Sequence, residues 1–291
     1  MDKSPQQPSY YVPDSSIWPI VGAVALFLIA LGAGTTVGNL LAGNGPWILL
    51  TGLGILLIML FGWFRDVIIE SMQGLYSSQL NCSFRQGMSW FIFSEVMFFV
   101  AFFGALFYAR MIAVPWLGGA SNNAMTHAVL WPDFVAIWPL ETTPDGRTTQ
   151  AMGPLGLPLY NTLILLTSSV TIHIAHMAME QNRRPREILF LLLTVLLGAL
   201  FVYLQGVEYL HAYQEMGLTL DAGIYGNTFF MLTGFHGLHV TLGAVLLFIV
   251  WCRVMMGHFS AHKHFAFQAG VWYWHFVDVV WLCLFVFVYI L

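Results

Sequence analysis

The sequence predicts an all-α integral membrane protein with seven transmembrane helices, and two observations lead to this prediction. Of its 291 residues, 58% are hydrophobic and only 8% are charged, which is too few polar side chains to cover a soluble globule. The apolar residues also form seven runs, each near the roughly 20 residues that a helix needs to cross a bilayer. Because the runs are continuously apolar rather than alternating, helices are favoured over a membrane barrel.

The predicted spans follow one another along the whole chain. They lie at about 17–40, 46–66, 84–110, 155–180, 187–210, 226–253 and 266–291. The chain is accordingly divided into an N-terminal tail (1–16), a two-helix unit (17–66), a connection (67–83) and a five-helix unit (84–291). The tail is polar and proline-rich, which is not typical of a cleaved secretion signal.

One connection, the outer loop 111–153, is much longer than the others. It carries the sequences WLGG, WPDF and IWP, so it is rich in tryptophan and proline. Aromatic residues favour both the membrane–water boundary and protein interfaces, and we expect an ordered loop that covers the bilayer surface or docks a partner.

The distribution of basic residues predicts the orientation. Of the ten lysines and arginines, all but Arg110 and Arg147 fall on the side of the N-terminus. The positive-inside rule then places the N-terminus in the cytoplasm (or matrix) and the C-terminus outside. The net charge of −4 and the scattered basic residues give no indication of a nucleic-acid partner, and Cys82, Cys252 and Cys283 have no metal-type spacing.

Glu95 is the most informative polar residue, because it stands near the middle of the third span. Its helix neighbours Phe91, Ile92, Phe98 and Phe99 are apolar and offer no local cation. Desolvation disfavours the charged form, so we expect a partly or wholly protonated carboxyl, unless a ligand headgroup or another helix supplies a partner. A proton relay, a structural hydrogen bond and ligand binding all remain open as its role.

Two histidine-containing patterns lie inside the last two spans. His236 and His239 are three residues apart on one face of the sixth span, and His275 and Asp278 have the same spacing in the seventh. The first pair invites a metal or haem interpretation, but buried hydrogen-bonding histidines are preferred. The second is interpreted as a structural pair that offsets the cost of burying both groups. Glu208 falls towards the outer end of the fifth span, at about headgroup level.

Basic and aromatic residues mark the cytoplasmic ends of the second and sixth spans. Trp63, Arg65 and Glu70 lie at the cytoplasmic end of the second span, and Arg253 lies at the end of the sixth. Each arginine is interpreted either as a simple helix end or as a bidentate ligand for a lipid phosphate, and the second alternative implies a bound phospholipid.

Four motifs together resemble subunit III of cytochrome c oxidase, in that family's order. They are WFRDVIIES (63–71), FIFSEVMFF (91–99), YGNTFFMLTGFHGLHVTLGA (225–244) and AGVWYWHFVDVVWLCLFV (269–286). The resemblance covers essentially all seven spans, and the seven-helix count favours the cytochrome c branch over the quinol branch.

The resemblance implies a non-redox subunit of an aa3-type oxidase, without a cofactor of its own. Haems and copper are expected in partner subunits I and II, with subunit I as the main contact and cytochrome c reached only through the complex. The first two helices are expected to splay from the other five and form a V-shaped, phospholipid-filled cleft. Trp63, Arg65, Glu70 and Arg253 match the family's headgroup-binding positions, and Glu95 matches its buried glutamate.

In function, the resemblance implies support of proton uptake into subunit I and protection of that subunit during turnover. The expected location is the inner (cytoplasmic) membrane of a bacterium, in preference to the mitochondrial inner membrane. Where the family often has Phe-Glu-Ala before the last helix, this chain has Gln268, which puts a proton-collecting role there in doubt. Where the family often has Thr-Trp-Ala-His near the end of the fourth span, this chain has an extra histidine, His173, before Ile174, Ala175 and His176. Together with His258, His262 and His264, the extra histidine suggests a buffer for proton delivery to the neighbouring subunit.

Two rival interpretations come from other classes. A proton-coupled transporter would use Glu95 as its coupling carboxylate, but the chain shows no internal repeat and no paired broken helices. A membrane metalloenzyme would rely on the histidine pairs alone.

Overall fold

The structure is a computed structural model that describes residues 15–38, 43–261 and 263–291. Nearly all of the predicted tail, with Lys3, therefore lies outside the described residues, as does His262. Within them, seven helices are long and apolar enough to cross a membrane, which confirms the predicted count. Their bounds are α1 Trp18–Val37, α2 Gly45–Met72, α3 Ser78–Tyr108, α6 Leu157–Glu180, α7 Arg184–Gln214, α8 Ile224–Met255 and α9 Phe265–Leu284.

Two short helices and two π-helical segments complete the described secondary structure. A π-helical turn, Ala109–Ala113, joins α3 to the short α4, Val114–Leu117, and α5 covers Ala124–Leu130 in the outer loop. The segment Phe285–Ile290 continues α9 to the C-terminus in π-helical geometry. No strand occurs in the described residues, only isolated bridges such as that between Thr142 and Thr148.

Helix starts follow from local sequence. Proline stands in the first turn of α1, α2, α6 and α7, where its missing N–H costs no helical hydrogen bond. Gly156 and Gly223 precede α6 and α8 with φ of 98° and 109°, a backbone region that other L-residues rarely adopt.

The helices around the predicted connection 67–83 are longer than the apolar runs indicate. Helix α2 continues through Met72 and α3 begins at Ser78, so only residues 73–77 lie between them. Hydropathy finds the part of a helix that sits in hydrocarbon, whereas backbone hydrogen bonding continues through the polar interface. The first part of the predicted connection, Val67 to Met72, is therefore helical.

The chain divides into two compact units, residues 1–84 and 85–291. In the first unit, α1 and α2 pack closely through small residues. A Cβ atom added at Gly52 would lie 2.7 Å from the backbone nitrogen of Ile29, so glycine is required for this approach. Near the opposite ends of these helices, the indole of Trp18 donates a hydrogen bond to Asp66 (2.8 Å). The V-shaped cleft stays a prediction.

In the second unit, α6 and α9 are joined by buried indole–hydroxyl hydrogen bonds. Trp274 donates to Ser168 and Trp281 donates to Thr162, both at 2.9 Å. Both indoles are almost completely buried, and each finds an acceptor that a hydrocarbon environment would not provide. The two bonds are about two helical turns apart and fix the antiparallel register of α6 and α9.

The outer loop is ordered and docks on the connection between α7 and α8. Arg147 donates to the carbonyl of Asp221 (2.9 Å), the backbone N–H of Gln150 donates to Met216 (3.1 Å), and that of Met152 donates to the Tyr225 hydroxyl (3.1 Å). These hydrogen bonds hold the loop against the connection, and its role as a cover of the bilayer surface or as a docking surface stays a prediction.

Two exposed carboxylates lie in this outer region. Hydrogen bonding from Thr143, with the adjacent Arg147 guanidinium, lowers the pKa of Asp145 below its ordinary value. Hydrogen bonding from Thr219 likewise lowers the pKa of Asp221. Both groups therefore stay ionised to a lower pH than free aspartate does.

Candidate functional site

Glu95 is paired with a histidine from another helix. Its Oε2 atom on α3 lies 2.9 Å from Nε2 of His239 on α8. The two side chains are 23% and 10% exposed, so both are largely removed from solvent. The open alternative that another helix supplies a partner for Glu95 is therefore the one realised.

The second nitrogen of His239 restricts how protons are placed in this pair. Nδ1 lies 2.6 Å from the backbone carbonyl of Phe235, one turn earlier on α8. A carbonyl only accepts hydrogen bonds, so Nδ1 carries a hydrogen. The Glu95–His239 contact then holds one further proton, either on the carboxyl or on Nε2. In both arrangements the pair is electrically neutral overall, which suits a site of low polarity.

Aromatic rings surround the pair. The ring of Phe99 meets the imidazole of His239 edge to face with 5.1 Å between centroids, and Tyr273 stacks on it at 6.5 Å. Because these rings restrict the rotation of the imidazole, the position of Nε2 is fixed relative to α3.

His236 shares a helix face with His239 but has a different partner. It is fully buried and its Nε2–H donates to the carbonyl of Val277 on α9 (3.1 Å). Its ring also contacts Trp281, with 5.0 Å between centroids. Each histidine of the pair thus has its own hydrogen-bond partner, which favours the hydrogen-bonding interpretation over a shared metal.

His275 and Asp278 approach each other as their spacing predicts. Nδ1 of His275 lies 3.6 Å from Oδ2 of Asp278 and 2.9 Å from the hydroxyl of Ser169 on α6. The hydroxyl is the closer partner, so the structural pair extends to a second helix.

The four predicted lipid-binding residues are divided between the two units. Trp63, Arg65 and Glu70 belong to the first unit, where Trp63 is 49% exposed, Arg65 is exposed and Glu70 accepts a hydrogen bond from Tyr76 (3.1 Å). Arg253 belongs to the second unit. It is buried, and its guanidinium carbon lies 4.5 Å from the centroid of the Phe259 ring.

Glu208 is completely buried within the protein, and its position at headgroup level stays a prediction. The hydroxyl of Tyr289, in the C-terminal π-helical segment, donates to its Oε1 atom (2.6 Å). Sequence placed Glu208 near the end of the fifth span because hydropathy ended that span at 210, whereas α7 continues to Gln214. A tyrosine in the last apolar segment is a possible donor for a buried carboxyl. Tyr289 lies 81 positions from Glu208 in the chain, so sequence spacing alone does not indicate this pair.

Together, these features define a multi-pass helical membrane protein whose intramembrane carboxylates, imidazoles and hydroxyls pair across helices. The model of the family described as cytochrome c oxidase subunit III matches residues 8–291. Relatives named cytochrome c oxidase subunit 3 include those of Latimeria chalumnae (40% identical over 285 residues), Oncorhynchus masou (40% over 292) and Gadus morhua (39% over 285). Each alignment covers 98% of this chain and 97% of the relative.

The chain belongs to the cytochrome c oxidase subunit III family. It is therefore a multi-pass membrane subunit of a respiratory terminal oxidase and works within that complex. This membership confirms the resemblance carried by the four motifs and decides against the transporter and the stand-alone metalloenzyme.

Proposed function

We propose that this chain is the non-redox subunit III of an aa3-type oxidase, and that the Glu95–His239 pair supports proton uptake into subunit I. The observation that carries the proposal is the 2.9 Å distance between Oε2 and Nε2, from which we infer that the two atoms share one proton. Moving that proton from one atom to the other keeps the net charge of the pair at zero, so proton transfer buries no isolated charge in an apolar region.

The surroundings of the pair are consistent with exchange rather than a sealed structural bond. Glu95 retains 23% exposure, and Phe91, one turn earlier on the same face of α3, is 46% exposed. We propose that phospholipid covers part of this surface. We also propose that Trp63, Arg65 and Glu70 of the first unit, and Arg253 of the second, hold phospholipid headgroups. By these lipids and by this pair, the chain would protect subunit I during turnover.

The remaining expectations concern partners and location. We propose contacts with subunit I and subunit II, haems and copper held by those partners, and cytochrome c as an indirect partner through the complex. A bacterial inner membrane with the N-terminus in the cytoplasm stays a prediction. The orientation is predicted from the basic residues and the bacterial location from the resemblance, and the relatives named above, all vertebrate, do not support the bacterial location.

Two substitutions of Glu95 separate a proton relay from a structural hydrogen bond. In Glu95→Gln, the amide still donates to the lone pair of Nε2, so the contact persists but the exchangeable proton is lost. Glu95→Leu removes both. The purified oxidase complex carrying each variant is assayed for proton uptake and for the number of turnovers before inactivation.

We expect both variants to slow proton uptake and shorten the active lifetime, with haem content unchanged. Glu215→Gln, an exposed carboxylate at the outer end of α7, is the matched control and should behave as the unaltered complex. A Glu95→Gln complex with normal uptake and lifetime, alongside an impaired Glu95→Leu complex, would assign Glu95 a structural role and refute the relay.

A further inference from the structure

Three potential metal ligands converge where the end of α6 meets the start of α9. His176 and Glu180 are one turn apart on α6, and His264 immediately precedes α9. One ligand atom from each of the three residues lies within 4.8 Å of the other two. We infer that His176, Glu180 and His264 form a binding site for a late first-row divalent metal ion such as Zn²⁺.

The first support comes from the environment of His176. Its Nε2 atom is buried and, among the described residues, has no hydrogen-bond partner. The nearest carboxylate contact is Oε1 of Glu180 at 4.0 Å, beyond hydrogen-bonding range. Buried polar atoms are normally satisfied, and a metal ion between these two groups would supply the missing interaction.

The orientation of the His176 ring is fixed before any ligand arrives. The ring stacks on Phe267 with 5.8 Å between centroids and meets the His264 ring at 5.9 Å. Phe267 is itself buried, so the imidazole is held against a rigid surface. A site whose ligands are preoriented in this way binds a metal with little loss of side-chain freedom.

The second support comes from His264. Its Nδ1 lies 3.1 Å from the backbone carbonyl of Ser260, to which only an N–H can donate. In the neutral ring, the lone pair is then on Nε2, the nitrogen available to a metal. Metal-binding histidines characteristically donate their other ring N–H to a carbonyl or carboxylate in this manner.

The donor set decides the class of metal. Two imidazoles and one carboxylate suit zinc and its neighbours, whereas magnesium and calcium prefer oxygen ligands throughout. Tetrahedral zinc with bonds of about 2.0–2.1 Å needs ligand atoms about 3.3 Å apart. The 4.0 Å between His176 and Glu180 closes to that value by rotation of the Glu180 side chain, which is 59% exposed.

Three protein ligands leave the fourth tetrahedral position open. The site lies at the end of a membrane-spanning helix and Glu180 is exposed, so an ion can enter from the aqueous phase. Binding would join the end of α6 to the start of α9. This inference concerns residues distinct from the Glu95–His239 pair and does not depend on the proposed function.

The test is a zinc titration of the metal-depleted oxidase complex, with bound zinc measured after equilibrium dialysis. We expect His176→Gln, His264→Gln and Glu180→Ala each to weaken one zinc-binding event per complex by at least about 10-fold. His173→Gln is the matched control, because it removes an exposed histidine from the same helix outside the cluster. Zinc X-ray absorption should show two imidazole ligands in the unaltered complex and one in His264→Gln.

The Glu180 side chain is 59% exposed, so Glu180→Ala should leave the fold intact. A loss of zinc binding in this variant therefore cannot be attributed to misfolding. Unchanged zinc stoichiometry and affinity in all three cluster variants would overturn the site. A loss in His173→Gln equal to that in His264→Gln would also overturn it, by showing a diffuse histidine surface.

Discussion

Glu95 and His239 are 144 positions apart in the chain, and their side chains meet at 2.9 Å between α3 and α8. Because the second nitrogen of His239 donates to the Phe235 carbonyl, the contact holds one proton and the pair is neutral. An intramembrane carboxylate that sequence alone leaves unpartnered is thus one half of a proton-sharing pair, and it joins the third helix to the sixth of the seven spans.

The strength of this pair can be measured by a double-substitution cycle. Glu95→Leu and His239→Leu each leave a buried polar partner unpaired, at a cost of about 1–3 kcal/mol. In the double variant neither unpaired polar group remains. Its loss of stability should therefore be smaller than the sum of the losses in the two single variants, by a coupling energy of about 1 kcal/mol. The measurement is the temperature at which the chain dissociates from the purified complex. Strictly additive shifts would contradict the pairing.

Tyr289 should stabilise the second unit through buried Glu208. Tyr289→Phe removes the hydroxyl that donates to Oε1 at 2.6 Å and leaves the carboxyl without that donor. We expect a loss of about 1–3 kcal/mol, measured as a lower temperature of thermal unfolding in the complex. Adding Glu208→Leu should restore part of the loss, because the unsatisfied group is then gone.

Tyr203→Phe is the control for this effect. Tyr203 lies on the same helix as Glu208 but is 68% exposed, so loss of its hydroxyl should change little. Equal shifts for Tyr289→Phe and Tyr203→Phe would show that the buried bond adds no stability.

Two glycines on α2 should respond oppositely to alanine. At Gly52 a Cβ would lie 2.7 Å from the Ile29 nitrogen, whereas at Gly54 nothing lies within 4 Å. Gly52→Ala should therefore cost about 1–3 kcal/mol by forcing α1 and α2 apart. Gly54→Ala should be neutral or stabilising by up to about 1 kcal/mol, because alanine favours the helix.

Cysteine cross-linking between α1 and α2 in membranes measures this difference. A lower cross-linking yield in Gly52→Ala than in Gly54→Ala is expected. Identical yields would mean that the close approach of the two helices is not needed.

Arg65 gives a clearer test of lipid binding than Arg253 does. It is exposed beside Trp63, whereas Arg253 is buried against Phe259 and its removal would also disturb packing. Arg65→Ala should lower the phospholipid phosphorus that co-purifies with each complex, because the bidentate phosphate contact is lost. Arg186→Ala, another exposed arginine, should not. Phosphorus content unchanged by Arg65→Ala would refute lipid binding at this residue.

Local sequence predicted the helices well and their ends less well. Continuous apolar runs identify spans because each must satisfy its backbone internally, and this rule acts within a single segment. Hydropathy does not detect the polar turns at the ends of a helix. The predicted second span therefore ends near 66, although α2 continues through Met72. For the same reason the predicted fifth span ends at 210, although α7 continues to Gln214.

The pairing of polar groups was predicted only where both partners share a helix. The spacing of His275 and Asp278 indicated their approach, yet the closer contact of His275 is the Ser169 hydroxyl on α6. The cluster of His176, Glu180 and His264 likewise combines residues of one helix with a residue from elsewhere in the chain. Its first two residues are one turn apart on α6, and the third comes from the loop before α9.

The amino-acid sequence by itself determined the class of protein, the seven spans and the family, because hydropathy and motif spacing are properties of contiguous residues. Tertiary structure alone decided what each intramembrane polar group faces. In an apolar medium a carboxyl must find a donor wherever another helix brings one, and packing of whole helices chooses that helix. Glu95 was recognisable as an intramembrane carboxylate from its own segment, but His239 became its partner only when α3 and α8 packed together.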